Sequence, residues 1–116
     1  VEGLKSISFT DKHKATHGEG ILKFTTSEFE HLFHENNSIK LTYDNVELKL
    51  NQKGFDEWMI WNPGQTLTKS IPDLPNNDWE NFICIEPVIV SKPKILKSGS
   101  IFDGTLNIDI INKIKL

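Results

Sequence analysis

The sequence predicts an all-β fold, an antiparallel β-sandwich, with one domain's worth of material at most in residues 1–116. Three observations carry this expectation. No stretch keeps a helical apolar period over a useful length. Short segments rich in β-branched and aromatic residues recur along the chain. Gly, Pro, Asn and Asp separate those segments at the spacing of strands and turns.

Taken in order, Val1 to Phe9 reads as a short strand, followed by a polar turn at Asp11-Lys12-His13-Lys14. Thr16 to Gly20 holds two glycines, which supply unusual backbone angles. Ile21 to Phe24 is a brief strand. Ser27 and Glu30 have capping-box spacing, which would suit one helical turn. The extended reading of Ser27 to Phe33 is preferred, with Phe29, His31 and Phe33 on one side. Ile39-Lys40-Leu41-Thr42-Tyr43 and Val46-Glu47-Leu48-Lys49-Leu50 both alternate, and Asp44-Asn45 between them suits a tight hairpin. Asn51 to Gly54 reads as the next turn. Glu57 to Trp61 is a strand with large side chains on both faces, ended by Asn62-Pro63-Gly64. Ser70 to Asp78 is a loop. The segment Asn81 to Val90 is the most strongly strand-like, Lys92-Pro93 opens another extended piece, Ser98-Gly99 turns, and Ile101 to Leu116 is strand-like.

Composition narrows the function. A net charge of -3 gives no reason to expect nucleic acid or an anionic membrane as partner. All 13 basic residues are lysines, so the chain supplies no bidentate guanidinium clamp for phosphate or carboxylate. A single cysteine, Cys84, cannot form an internal disulfide and suits a reducing, cytoplasmic setting. Its apolar flanks read as a buried, inert thiol. No signal peptide or membrane-length apolar run is present. The first residue is Val1 rather than Met, which suits an excised or processed piece.

The strand Asn81 to Val90 carries one carboxylate, Glu86, among apolar neighbours. Alternation puts it on the face of Cys84 and Phe82, with Ile83 and Ile85 opposite. Burial there would raise its pKa and make it a proton acceptor near neutral pH. Pro87 interrupts the backbone ladder beside it, as at strand ends and bulges. The plain alternative is a glutamate at the wet end of a strand, paired with a lysine. His13 with His17, and His31 with His34, lack Cys or carboxylate partners at metal-site spacing, so surface histidines are expected and no metal. Trp58, Trp61 and Trp79 are either core residues or sugar-stacking surfaces.

Several pieces in order resemble one family: Val1-Glu2-Gly3-Leu4 with Asp11-Lys12; Glu28-Phe29-Glu30-His31-Leu32-Phe33; Ile60-Trp61-Asn62-Pro63; Asn81-Phe82-Ile83-Cys84-Ile85-Glu86-Pro87; and Lys92-Pro93 with Ser98-Gly99. Together they are similar to the second half of the hexose-6-phosphate 1-epimerases, of the galactose-mutarotase-like superfamily. The Trp-Asn-Pro block, the acidic loop and the Cys-x-Glu-Pro block are the specific part. The resemblance implies a large antiparallel β-sandwich with the sugar in a cleft on one face. It implies interconversion of the α and β anomers of a hexose 6-phosphate, without a cofactor. In that chemistry a glutamate takes the anomeric proton while a histidine protonates the ring oxygen. The family's catalytic glutamate falls on Glu86. Its sugar-binding acid, in a Glu-x-Asp-Arg block, falls on Glu30; here Glu replaces Asp and His31 replaces Arg.

The family's acid histidine and phosphate-binding arginines fall before the region matched by Val1, so the resemblance makes this chain the C-terminal part of a longer domain. Domains of this family run to about twice this length or more, within the range of single β-sandwich domains. The expected partners are therefore a hexose phosphate and the N-terminal part of the same protein. A non-catalytic, mutarotase-like sugar-binding module is the competing expectation, and the departures at Glu30 and His31 point toward it.

Overall fold

The computed structural model describes residues 4–9, 21–22, 26–34, 38–43 and 46–113. The expected turns at residues 11–20 and at Asp44-Asn45, with His13 and His17, lie outside the described residues. Within them the chain is all-β. The strands are β1 (Leu4–Phe9), β2 (Ile21–Leu22), β3 (Phe29–Phe33), β4 (Ile39–Tyr43), β5 (Val46–Lys53), β6 (Glu57–Asn62), β7 (Cys84–Val88) and β8 (Thr105–Lys113). They form a sheet ordered β2-β1-β4-β5-β8 and a smaller sheet ordered β3-β6-β7, antiparallel throughout.

Alternation builds the core. In the β4–β5 hairpin, Ile39 faces Leu50 and Leu41 faces Leu48, on the side turned to the other sheet. Lys40 stands across from Lys49 on the outer side, and Glu47 lies 3.8 Å from Lys40, which offsets the like charges. The smaller sheet contributes Phe33, Trp58 and Ile60, so the buried cluster spans both sheets, with Phe29, Ile83 and Ile85 packed against it. Trp58 and Ile60 are 0% exposed. This face-to-face arrangement is the expected sandwich architecture.

Two local readings are corrected. β5 continues to Lys53, through the expected turn at Asn51 to Gly54, because Asn51, Gln52 and Lys53 pair with Asn107, Leu106 and Thr105 of β8. The turn falls at Gly54 alone, with φ of 91°, where a Cβ would also strike the Asp103 carbonyl oxygen. A short helix, α1 (Gly64–Thr68), follows the Trp-Asn-Pro block, and a single 3-10 turn spans Asp78–Glu80. The strand expected over Asn81 to Val90 is confined to Cys84–Val88. Pro87 is tolerated in it because β7 is an edge strand.

Asn62 explains why the chain leaves β6 as it does. Its side chain is buried; Nδ2 donates to the carbonyls of Trp79 at 2.9 Å and Phe82 at 2.8 Å, and Oδ1 accepts the Gly64 amide at 2.9 Å. The Gln65 amide meanwhile donates to the Thr26 carbonyl at 2.8 Å. One amide side chain thus holds the end of β6, the start of α1 and the approach to β7 together.

Three strands do not cover five. Ile108 and Ile110 pair with Leu50 and Leu48, so they share the core-facing side of the larger sheet, yet they are 56% and 59% exposed. The irregular segment between β7 and β8 adds Ile95, Leu96 and Ile101, all exposed. An apolar surface of this kind on an edge strand drives association. The isolated 116-residue polypeptide is therefore expected to self-associate, and Ile108→Lys with Ile110→Lys to reduce it. Light scattering would check this; a monodisperse, cooperatively melting wild-type monomer would contradict it.

Candidate functional site

The smaller sheet sorts the candidate residues by face. Register places Phe29 across from Asn62, His31 across from Ile60 and Phe33 across from Trp58. Those side chains, with Ile85, face the core. The outer face carries two rows read across β3, β6 and β7: Glu30–Trp61–Cys84 and Leu32–Met59–Glu86. Glu30 and Glu86 therefore stand on one face, on either side of β6. His31 stands on the other, its ring 4.4 Å from that of Phe33 in an edge contact and 6.2 Å from that of Phe29. The sequence puts Glu30 and His31 side by side, and the pleat turns them apart.

The expected burial of Glu86 is corrected: the residue is exposed. β7 is the edge strand of a three-stranded sheet, and the apolar neighbours that flank Glu86 in sequence point to the core instead. Cys84, the next residue along on the same face, is half-buried; burial and then the Glu86 charge push its thiol pKa up. That keeps the thiol protonated and a poor nucleophile, as its position in the strand suggests.

The three tryptophans separate cleanly. Trp58 is core. Trp79 lies in the 3-10 turn, where its carbonyl receives Asn62. Trp61 is half-buried on the outer face, its Nε1–H 3.5 Å from Oε1 of Glu28 and its ring 6.2 Å from that of Phe82, tilted by 50°.

A second polar cluster is not legible in the sequence. At the start of β6, Glu57 is 3% exposed. Its Oε1 accepts the amides of Val90 at 2.9 Å and Ser91 at 2.7 Å. Its Oε2 accepts the Ser91 hydroxyl at 2.6 Å and lies 2.7 Å from Nδ1 of His34. The Ser91 hydroxyl first, its amide next, and then Val90 and His34 hold the carboxyl down at about 2 against the usual 4.5, although burial pushes the other way. His34, Asp56, Glu57, Ser91 and Lys92 line a pocket of about 580 Å³. The geometry is not that of a nucleophilic triad, because the serine and the carboxylate meet the same imidazole nitrogen. Its effect is to fasten the chain after β7 to the start of β6. No local pattern announces it, since Ser91 lies 57 residues from His34. His31 and His34 do not converge on a metal, and among the described residues no three His, Cys, Asp or Glu side chains do. Nor is any described helix long and apolar enough to cross a membrane.

The chain is 26% identical over 119 residues to a protein of Cenchrus ciliaris named "Putative glucose-6-phosphate 1-epimerase", a match covering 96% of this chain and 36% of that protein. The chain thus spans about a third of the length of the curated relative it matches. No protein-family model matches it, and no solved structure does.

The lowered pKa of Glu57 gives a signed pH prediction. A carboxyl depressed in the folded state adds stability above its unfolded value of 4.5, and that contribution is lost as pH falls toward about 2. Wild type should melt above Glu57→Gln at pH 6, with the difference closing between about pH 4.5 and 2. A difference independent of pH would refute the anchoring role. Asn62→Ala should cost about 1–3 kcal/mol for each buried partner left without a hydrogen bond, read from denaturant midpoints.

Proposed function

We propose that this chain forms the carboxylate-bearing wall of an epimerase that interconverts the α and β anomers of a hexose 6-phosphate. The observation that carries the reading is the common face of Glu30 and Glu86 on either side of β6. The similarity to the Cenchrus ciliaris protein along 96% of the chain supports it. In this reading Glu86 accepts the proton of the anomeric hydroxyl. A histidine from polypeptide outside these residues protonates the ring oxygen. The C1–O5 bond breaks, the aldehyde turns about C1–C2, and reclosure gives either anomer. Glu30 accepts a sugar hydroxyl, whereas His31, turned to the core side of β3 against Phe29 and Phe33, makes no contact with the sugar.

In this reading the phosphate is held by the N-terminal part of the same protein, since this chain has no arginine to offer a guanidinium clamp. That part would also cover the outer face, excluding water from the site, and would pack on the apolar surface of β8. The full domain would then be a mutarotase-like sandwich, working in the cytoplasm.

A non-catalytic sugar-binding module is the second reading, favoured by the exposure of Glu86 and the turning away of His31. Exchange NMR on the full-length protein discriminates. Glu86→Gln should lower anomer exchange of glucose 6-phosphate by about 10²–10⁴-fold, the usual contribution of a positioned base, with the fold and sugar affinity retained. Wild-type exchange rates in Glu86→Gln would remove the base assignment. Saturable sugar binding by a wild-type protein that catalyses no exchange would select the module.

A further inference from the structure

We propose that Trp61 is the floor of the sugar site, with the pyranose ring lying flat on its indole and its hydroxyls taken by Glu30 and Glu86. The identity of the sugar rests on the epimerase reading above; the placement rests on the sheet. Of the three tryptophans, Trp61 is the one on the outer face of the smaller sheet: Trp58 is 0% exposed in the core, and Trp79 lies outside the strands. Trp61 stands directly across from Glu30 on β3 and from Cys84 on β7, and Glu86 follows two residues along β7. Strand spacing and rise put the Glu30 and Glu86 α-carbons about 12 Å apart. That span is filled by a hydroxyl-bearing six-membered ring met from both sides by glutamate side chains.

The chemistry of this surface suits a carbohydrate. A pyranose has an apolar C–H face and a rim of hydroxyl donors. An indole takes the first, and ionised carboxylates, which only accept, take the second. The ring is also held in place before a ligand arrives. Oε1 of Glu28 lies 3.5 Å from its Nε1, and the Phe82 ring lies beside it at 6.2 Å, tilted by 50°. Ordering in advance lowers the entropic cost of binding. Glu28, Glu30 and Glu86 together make the surface acidic, so it receives the neutral ring while the phosphate of the substrate projects away from it.

The test uses the full-length protein with Trp61→Ala and Trp61→Phe, both checked for folding by amide NMR dispersion. For anomer exchange of glucose 6-phosphate, Trp61→Ala should raise KM about tenfold, the range of one aromatic contact, with a much smaller effect on kcat. Trp61→Phe should recover most of the loss. Titration of wild type with glucose 6-phosphate should shift the Trp61 indole Hε1 resonance, and glucose should shift it too. If Glu86→Gln abolishes exchange while Trp61→Ala leaves KM unchanged, the epimerase reading stands and the floor is refuted. If wild type shows no exchange, the epimerase reading falls and the titration decides. An indole shift that saturates with glucose upholds the floor, and an unmoved indole with either sugar overturns it. Should Trp61→Ala not fold, Trp61→Phe and the titration decide between upholding and overturning the floor in the same way.

Discussion

The register of β6 is the constraint on which the rest of this structure depends. It is the central strand of the smaller sheet, and its two faces do different work. Trp58 and Ile60 fill the core, while Met59 and Trp61 line the outer surface. A slip of one residue against β3 or β7 would exchange those faces entirely. Hydrophobicity alone guards poorly against such a slip, because tryptophan and aliphatic residues occur on both sides. The ends of the strand supply the missing specificity. Glu57 at one end and Asn62 at the other are buried polar side chains, each satisfied by several hydrogen bonds from distant backbone. A slipped strand would leave the carboxylate and the amide without these partners, a cost that the native register avoids. Satisfied polar groups thus fix the geometry that apolar packing fills.

This division explains what the residues reveal by themselves. Strands whose pattern is local are legible: the β4–β5 pair from strict alternation, the extended form of β3, and the facing of Ile83 and Ile85 away from Glu86. The Trp-Asn-Pro block is legible as a motif but not as a device. Only coordinates show that Asn62 reaches across to carbonyls 17 and 20 residues away. The Glu57–Ser91–His34 cluster is invisible for the same reason. The end of β5 is not readable locally, because β8, over 50 residues later, prolongs it. Helix α1 escapes a search for periodicity because it spans five residues and keeps no apolar stripe.

Glu86 is the instructive case. Its sequence neighbours are greasy, and that suggests a dry carboxylate. Yet alternation sends Ile83 and Ile85 inward and puts Glu86 on the outer face with Met59 and Cys84, which are half-buried there while Glu86 itself is exposed. Apolar sequence context therefore measures burial only for a strand covered on both faces. In an edge strand covered on one face, it says which residues belong to the core and nothing about the other row.

The two uncovered surfaces differ in kind, and the difference bears on what each meets. Along β8 and the segment before it, Ile95, Leu96, Ile101, Ile108 and Ile110 offer aliphatic area with few polar groups. Such a surface suits other apolar side chains, which cover it without stranding hydrogen bonds. The outer face of the smaller sheet is the reverse: one aromatic plane set among Glu28, Glu30 and Glu86. Covering that face with an apolar layer would strand three carboxylates, which a hydroxyl-rich ligand would instead satisfy. Epimerisation also needs a proton delivered to the ring oxygen while another leaves the anomeric hydroxyl, and a wall of carboxylates performs only the second task. In the epimerase reading proposed above, the apolar face would take up the further polypeptide and the acidic face would meet the sugar, and because the two lie on different faces neither role would obstruct the other.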